Sequence, residues 1–262
     1  MRSKSLGNSI ILVSIVVAII LLVGGFFLFA REATGPADNK TNALFNEDPG
    51  NTTVPRNQTS KQIKPPHFVD SSPSHNETYA AVPLNIVINF NFDLSEKSSM
   101  KIEVNGKDVG EGKTTVDNTK LTLRRKISQT AGDEIYTVKY SACWPDDSCH
   151  DGEFRFVVDS KTKSSYTDTR GKSEVQISLK NIAFSPAKVI ISKGTKVIWT
   201  NDEAVGHYVN TDPHPSHTFY LGQNSKLLNS GDTYSVTFNE IGEYPYHCSV
   251  HAATMVGRIV VE

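Results

Sequence analysis

The stretch Gly242–Val261, GEYPYHCSVHAATMVGRIVV, decides how the C-terminal part of this chain reads. Gly242 to His247 and Val256 to Val261 read as two candidate strands joined by one short loop. The loop holds Cys248, His251 and Met255: a thiol, an imidazole and a thioether in close succession. Working back from it, further strands are expected at Thr233 to Phe238, Lys196 to Thr200, Lys188 to Ile191 and Val175 to Leu179, with turns at Gly231-Asp232 and Gly194-Thr195. Residues 173–262 therefore read as one antiparallel β-sandwich.

A second imidazole, His207, follows the strand ending near Thr200, in WTNDEAVGH. A cysteine and two histidines in a trigonal set, with a weak axial methionine, are the ligands of a blue-copper electron-transfer site. Thiolate and thioether favour Cu(I), whereas imidazole suits both oxidation states. Structural zinc takes four N/S ligands without a thioether.

The stretches FSPAKVIISKGTKVIWTND, GDTYSVTFNEIGEYPYHCSVH and MVGRIVVE, with the His207 segment, resemble the cupredoxins of the plastocyanin, amicyanin and halocyanin type. The resemblance implies a Greek-key sandwich, one type 1 copper held by His207, Cys248, His251 and Met255, and single-electron exchange with redox partner proteins. Three positions depart from the pattern. Three residues separate His251 from Met255, where relatives commonly have two or four. Tyr208 stands where plastocyanins have Asn, and Ala252 where many relatives have Pro. These departures bear on the reduction potential and the axial bond rather than on copper binding.

His247 precedes the cysteine, as in multicopper oxidases, but Ser249 occupies the third position of their His-Cys-His run and no His-x-His pair exists. Strand alternation turns His247 away from Cys248, so it is expected at the surface. His214 and His217 lie in DPHPSH, a Pro-rich loop; they are expected as exposed loop histidines, with a second metal site as the alternative. Asp202, Glu203 and Asp212 read as solvated loop charges that could guide a partner.

Residues 67–159 form an earlier β module. Leu84, Ile86, Ile88 and Phe90 share one strand face, and strands are expected at Met100 to Val104, Leu121 to Leu123, Ile135 to Tyr140 and Phe154 to Val158. Asn105-Gly106 and Asp151-Gly152 are read as turns. HFVDSSPSHNETYAAVPLNIVINFNFDLS followed by EIYTVKYSACWPDDSCHDGEFRFVVD resembles the CopC-like periplasmic copper-binding sandwiches. Family copper sites use a His at the mature N-terminus and a later Asp-x-His; here His67 lies inside the chain and Asp147-Ser148-Cys149-His150 has one extra residue, so an immunoglobulin-like spacer is expected, with a second copper site at His67, Asp147 and His150 as the alternative. Cys143 and Cys149 bracket a short loop; outside the cytoplasm a local disulfide is the natural pairing, the alternative being a free pair binding metal beside His150. Residues 160–172 are polar and read as a linker.

At the N-terminus, Ile10–Ala30 carries no charge and at about 1.5 Å per residue crosses about 30 Å, one bilayer core. Arg2 and Lys4 precede it, favouring a cytoplasmic N-terminus. Residues 1–31 are expected as an uncleaved single-span anchor; a cleaved signal is the alternative, and both readings place the remainder outside the cytoplasm. Residues 32–66 have too few apolar side chains for a core and read as a disordered tether. Sequons at Asn39, Asn51, Asn57 and Asn76 make glycosylation conceivable.

Composition excludes several classes. Over 262 residues, 27 Lys+Arg balance 28 Asp+Glu, a formal net charge of -1, against nucleic-acid binding through a basic surface. With 3 Cys the chain is neither a disulfide-rich mini-fold nor a four-cysteine zinc module. No general acid/base pair or nucleophile elbow is present, so the expectation is an electron carrier, not an enzyme. A copper-handling protein (chaperone or resistance factor) using one or both modules is the alternative.

Overall fold

A computed structural model of the protein describes residues 67–262, with Gln62 and Pro65. The expected anchor at 1–31 and nearly all of the expected tether at 32–66 lie outside them. Among the described residues no helix is long and apolar enough to cross a membrane.

The described chain is all-β apart from two 3-10 turns. In the first module one sheet orders Phe68–Ser72, Asn85–Phe90, Thr122–Ile127 and Gly110–Val116; the other orders Thr78–Tyr79, Cys149–Val158, Ile135–Cys143, Ser99–Val104 and Lys107–Asp108. Both sheets contribute to one core containing Ile86, Ile88, Leu123, Ile102, Val138, Tyr136 and Phe156. In the second module Phe184–Ser185, Glu174–Leu179, Lys196–Asn201 and Thr233–Thr237 face Thr167–Asp168, Lys188–Ile191, Val256–Val261, Gly242–His247 and Asn210–Thr211. Trp199, Phe238, Tyr244 and Tyr246 pack at the centre, with Phe238 and Tyr244 edge-to-face at 4.9 Å.

Local chemistry explains most of these elements. Asn105-Gly106 closes the Ser99–Val104 hairpin with φ of 50° and 77°, the positive pair that a two-residue turn needs. Asp151-Gly152, expected as a turn, instead lies within Cys149–Val158. Gly152 sits opposite Tyr140, where a Cβ would come 2.3 Å from the phenol ring, so this glycine makes room for an aromatic rather than for a bend. The reversal occurs at Trp144–Ser148, closed by the disulfide between Cys143 and Cys149. Gly110–Val116 was not legible because its residues are polar and mostly exposed along a sheet edge.

Residues 160–172 contain the 3-10 turn Ser160–Ser165, capped by Asp159, and the strand Thr167–Asp168, which pairs in parallel with Lys188–Ile191. The two modules are packed on each other within one compact unit. Asn85–Phe90 is buried along its whole length: Ile86, Ile88 and Phe90 enter the first core, whereas Leu84 and Val87 enter the second. Beside this contact the fully buried carboxylate of Glu243 accepts from the N–H groups of Ala80 (2.6 Å) and Ala81 (2.8 Å), from the Tyr166 hydroxyl (2.8 Å) and from Arg258 (3.2 Å). Arg258 also pairs with Glu77.

Candidate metal centre

Cys248 closes the strand Gly242–His247, and the 3-10 turn Ser249–His251 brings His251 back over it. Met255 precedes the strand Val256–Val261. The turn is held by its own backbone: Cys248 N–H donates to the Met255 carbonyl, and the N–H groups of Met255 and His251 donate to the His251 and Cys248 carbonyls, each at 2.9 Å. His207 reaches the same end of the sandwich through a bridge to Leu228, with hydrogen bonds in both directions. Asn201 locks that segment by donating to the carbonyls of Val205 and Leu228 and accepting from the Glu203 N–H.

The structure thus brings His207, Cys248 and His251 together. Cys248 Sγ lies 3.6 Å from Nδ1 of His207 and 3.6 Å from Nδ1 of His251. His207, Cys248 and Met255 are all 0% exposed; His251 is half-buried. Among the described residues Cys248 is the free cysteine. Tyr208 N–H donates to its Sγ at 3.3 Å, which stabilises charge on sulfur.

Glu203 is not a solvated loop charge. Its Oε1 lies 2.7 Å from Nε2 of His207, and it also accepts from the N–H groups of Ile182 and Asn181. The Ile182 N–H first, then His207, hold the Glu203 carboxyl below its ordinary value. An ionised carboxylate is an acceptor, so the ring hydrogen of His207 sits on Nε2 and the Nδ1 lone pair faces the thiol. One sulfur and two imidazole nitrogens at these separations suit donors sharing one ion at about 2.0–2.3 Å. The donor set fits copper.

His247 departs from expectation. It points away from Cys248 but is only 2% exposed, because the loop carrying His214 and His217 lies over it. His214, His217 and His247 form a second group of three side chains close enough to hold a metal ion. Asp212 is likewise no free charge: its Oδ1 lies 2.6 Å from Nδ1 of His247. Burial, then the neighbouring imidazoles, push His217 down to about 4, so it stays neutral in ordinary buffers.

In the first module the three candidate ligands do not form a group close enough to share one ion. His67 Nδ1 is 2.9 Å from Asn91 Oδ1, Asp147 pairs with Lys97, and the rings of His67 and His150 each pack on Trp144. Neither group of metal-capable side chains among the described residues includes them.

Residues 171–262 match the copper binding proteins of the plastocyanin/azurin family, and residues 68–159 match the CopC domain. Amicyanin-alpha of Methylorubrum extorquens is 38% identical over 92 residues, 35% of this chain and 73% of its own length. Chloroplastic plastocyanin of Tetradesmus obliquus is 34% identical over 86 residues, 31% of this chain and 59% of its own length. Among solved structures, a purple cupredoxin from Nitrosopumilus maritimus is 32% identical over 34% of this chain and 99% of that one, with a TM-score of 0.30.

Proposed function

Through residues 171–262 the chain belongs to the plastocyanin/azurin family of copper-binding proteins, and we propose that it carries single electrons between redox partner proteins, with copper held by His207, Cys248, His251 and Met255. In this reading Ile10–Ala30 anchors the chain in a cell membrane as a single span, with both sandwiches outside the cytoplasm. The disulfide supports an oxidising compartment.

The observation that carries the reading is the meeting of one free buried thiol with two imidazole Nδ1 atoms, each at 3.6 Å. Copper bound there supplies one-electron cycling between Cu(II) and Cu(I). The chain's contribution is preorganisation. Glu203 fixes the tautomer of His207, Tyr208 N–H supports the sulfur, and the backbone bonds of the 248–255 turn hold three donors in one arrangement. A scaffold this constrained moves little when the charge changes. His251 is the donor that reaches the surface, and exposed Val250 (58%), Val205 (46%) and Leu227 (45%) supply apolar area nearby in the sequence of the two donor segments and the facing loop. A redox partner would dock on that side, close to the electron's exit.

The test is a spectroelectrochemical titration of the purified chain with counted copper. An intense visible charge-transfer band that bleaches reversibly with one electron is expected; a copper-loaded protein without the band would sink the assignment. The CopC match at residues 68–159 favours a second reading, copper handling. Rapid surrender of the bound copper to an external chelator, with no electron exchange, would favour it.

A further inference from the structure

The group formed by His214, His217 and His247 lies on the opposite face of the strand from the thiol. Its three ligand nitrogens all lie within 4.8 Å of one another. Nε2 of His217 is 3.1 Å from Nε2 of His247, and the Ser249 hydroxyl is 3.1 Å from the same His217 nitrogen. Nitrogens bound to one ion at about 2.0–2.1 Å stand about 3.4 Å apart in a tetrahedron, so small side-chain adjustments complete the site.

For His247 the neighbouring carboxylate assigns the role of each ring nitrogen. Asp212 Oδ1, 2.6 Å from Nδ1 of His247, accepts the ring hydrogen and leaves the Nε2 lone pair directed at His217. A carboxylate behind a histidine is the arrangement that orients metal-ligating imidazoles. Glu203 stands behind His207 in the same way, so both clusters share one construction.

The loop carrying two of the three histidines is clamped by the first sandwich. The Ser216 hydroxyl donates to Asp70 at 2.9 Å, and the Thr218 hydroxyl donates to Asn89 at 3.0 Å. Arg124 donates to the carbonyls of Phe219 (2.9 Å) and Thr218.

We propose that His214, His217 and His247 form a second metal site, distinct from the thiolate site, which takes a borderline divalent ion (Cu(II) or Zn(II)) and leaves a fourth coordination position open on the solvent side, where His214 is exposed. All three ligands are imidazoles, which suit these ions. Three protein ligands with an open position are the pattern of a site that admits an exogenous ligand or water. The site lies one peptide bond from the thiolate, through His247 and Cys248.

The test uses the full chain, equilibrated with Cu(II) and separately with Zn(II) after the visible band has been saturated with copper. Metal is counted per chain, and the band monitors the first site. We expect one further equivalent of ion in the native protein. That equivalent should bind at least tenfold more weakly in His214→Ala and in His217→Ala, with band intensity per chain unchanged; His214 is exposed, so its variant should fold. His67→Ala and His150→Ala should retain it. Binding of neither ion beyond the band-saturating copper would overturn the proposal, as would its full retention in both loop variants or its loss in the first-module variants. Absence of the band with the loop-histidine-dependent ion still bound would defeat the carrier reading and support this site.

Discussion

His247 and Cys248 are neighbours in the chain but serve opposite faces of one strand. Cys248 Sγ faces Nδ1 of His207 and His251 at 3.6 Å, whereas Nε2 of His247 faces His217 at 3.1 Å. A strand places successive side chains on opposite faces, so two adjacent residues can each belong to a different cluster. The same backbone therefore connects the two.

Cys248→Ser should abolish the visible band of the copper-loaded protein and leave the fold intact. Serine nearly matches the thiol in volume but lacks the sulfur on which the charge-transfer band depends. Visible absorption together with a melting curve checks this, and surviving colour would show the ligand assignment to be wrong.

Glu203→Gln should weaken metal binding at the thiolate site by about 10–100-fold, because a neutral amide accepts the Nε2 hydrogen of His207 more weakly than a carboxylate and can turn a donor toward it instead. Competition with a chelator of known affinity measures the change. Unaltered affinity would mean that the Leu228 bridge alone positions His207.

Arg124→Ala should loosen the 212–219 loop from the first sandwich, since the guanidinium holds the carbonyls of Thr218 and Phe219. Ion binding at His214, His217 and His247 should weaken while the visible band stays constant. Equal loss at both sites would indicate general unfolding, which a denaturation curve distinguishes.

Glu243→Ala should cost about 3–5 kcal/mol in urea denaturation, because it leaves Arg258 short of a buried partner and strands the N–H groups of Ala80 and Ala81. A loss below about 1 kcal/mol would show that water replaces the carboxylate.

Asp108 gives the acid limb a checkable origin. Partial burial raises its pKa, but the Gly110 N–H, Arg125 and the Ile102 N–H together outweigh it and hold the carboxyl below the ordinary 3.8. A lowered folded-state pKa means stability is fully present above pH 3.8 and is lost as pH falls through the folded value. Asp108→Asn should flatten the stability profile below about pH 4, read by denaturant titration at stepped pH.

Much of the fold was legible in the residues. Lys188–Ile191, Gly242–His247 and Val256–Val261 are strands where strands were expected, and Cys143–Cys149 is the local pairing expected outside the cytoplasm. The donor types and their order, His207, Cys248, His251, Met255, also stand in the chain itself. Gly152 misled because a glycine opposite a tyrosine looks, in sequence, like a glycine in a turn.

What the sequence by itself determined was local: alternation, turn chemistry and the kinds of atom available for a metal. What only the tertiary structure decided was which polar groups lie behind which imidazoles, and what covers an outward-facing side chain. Glu203 and Asp212 became histidine partners through loop geometry that no periodicity encodes. His247 became buried because Asp70, Asn89 and Arg124, distant in sequence, hold a loop over it. Periodicity reports the direction in which a side chain points; its burial depends on segments that arrive from elsewhere in the chain.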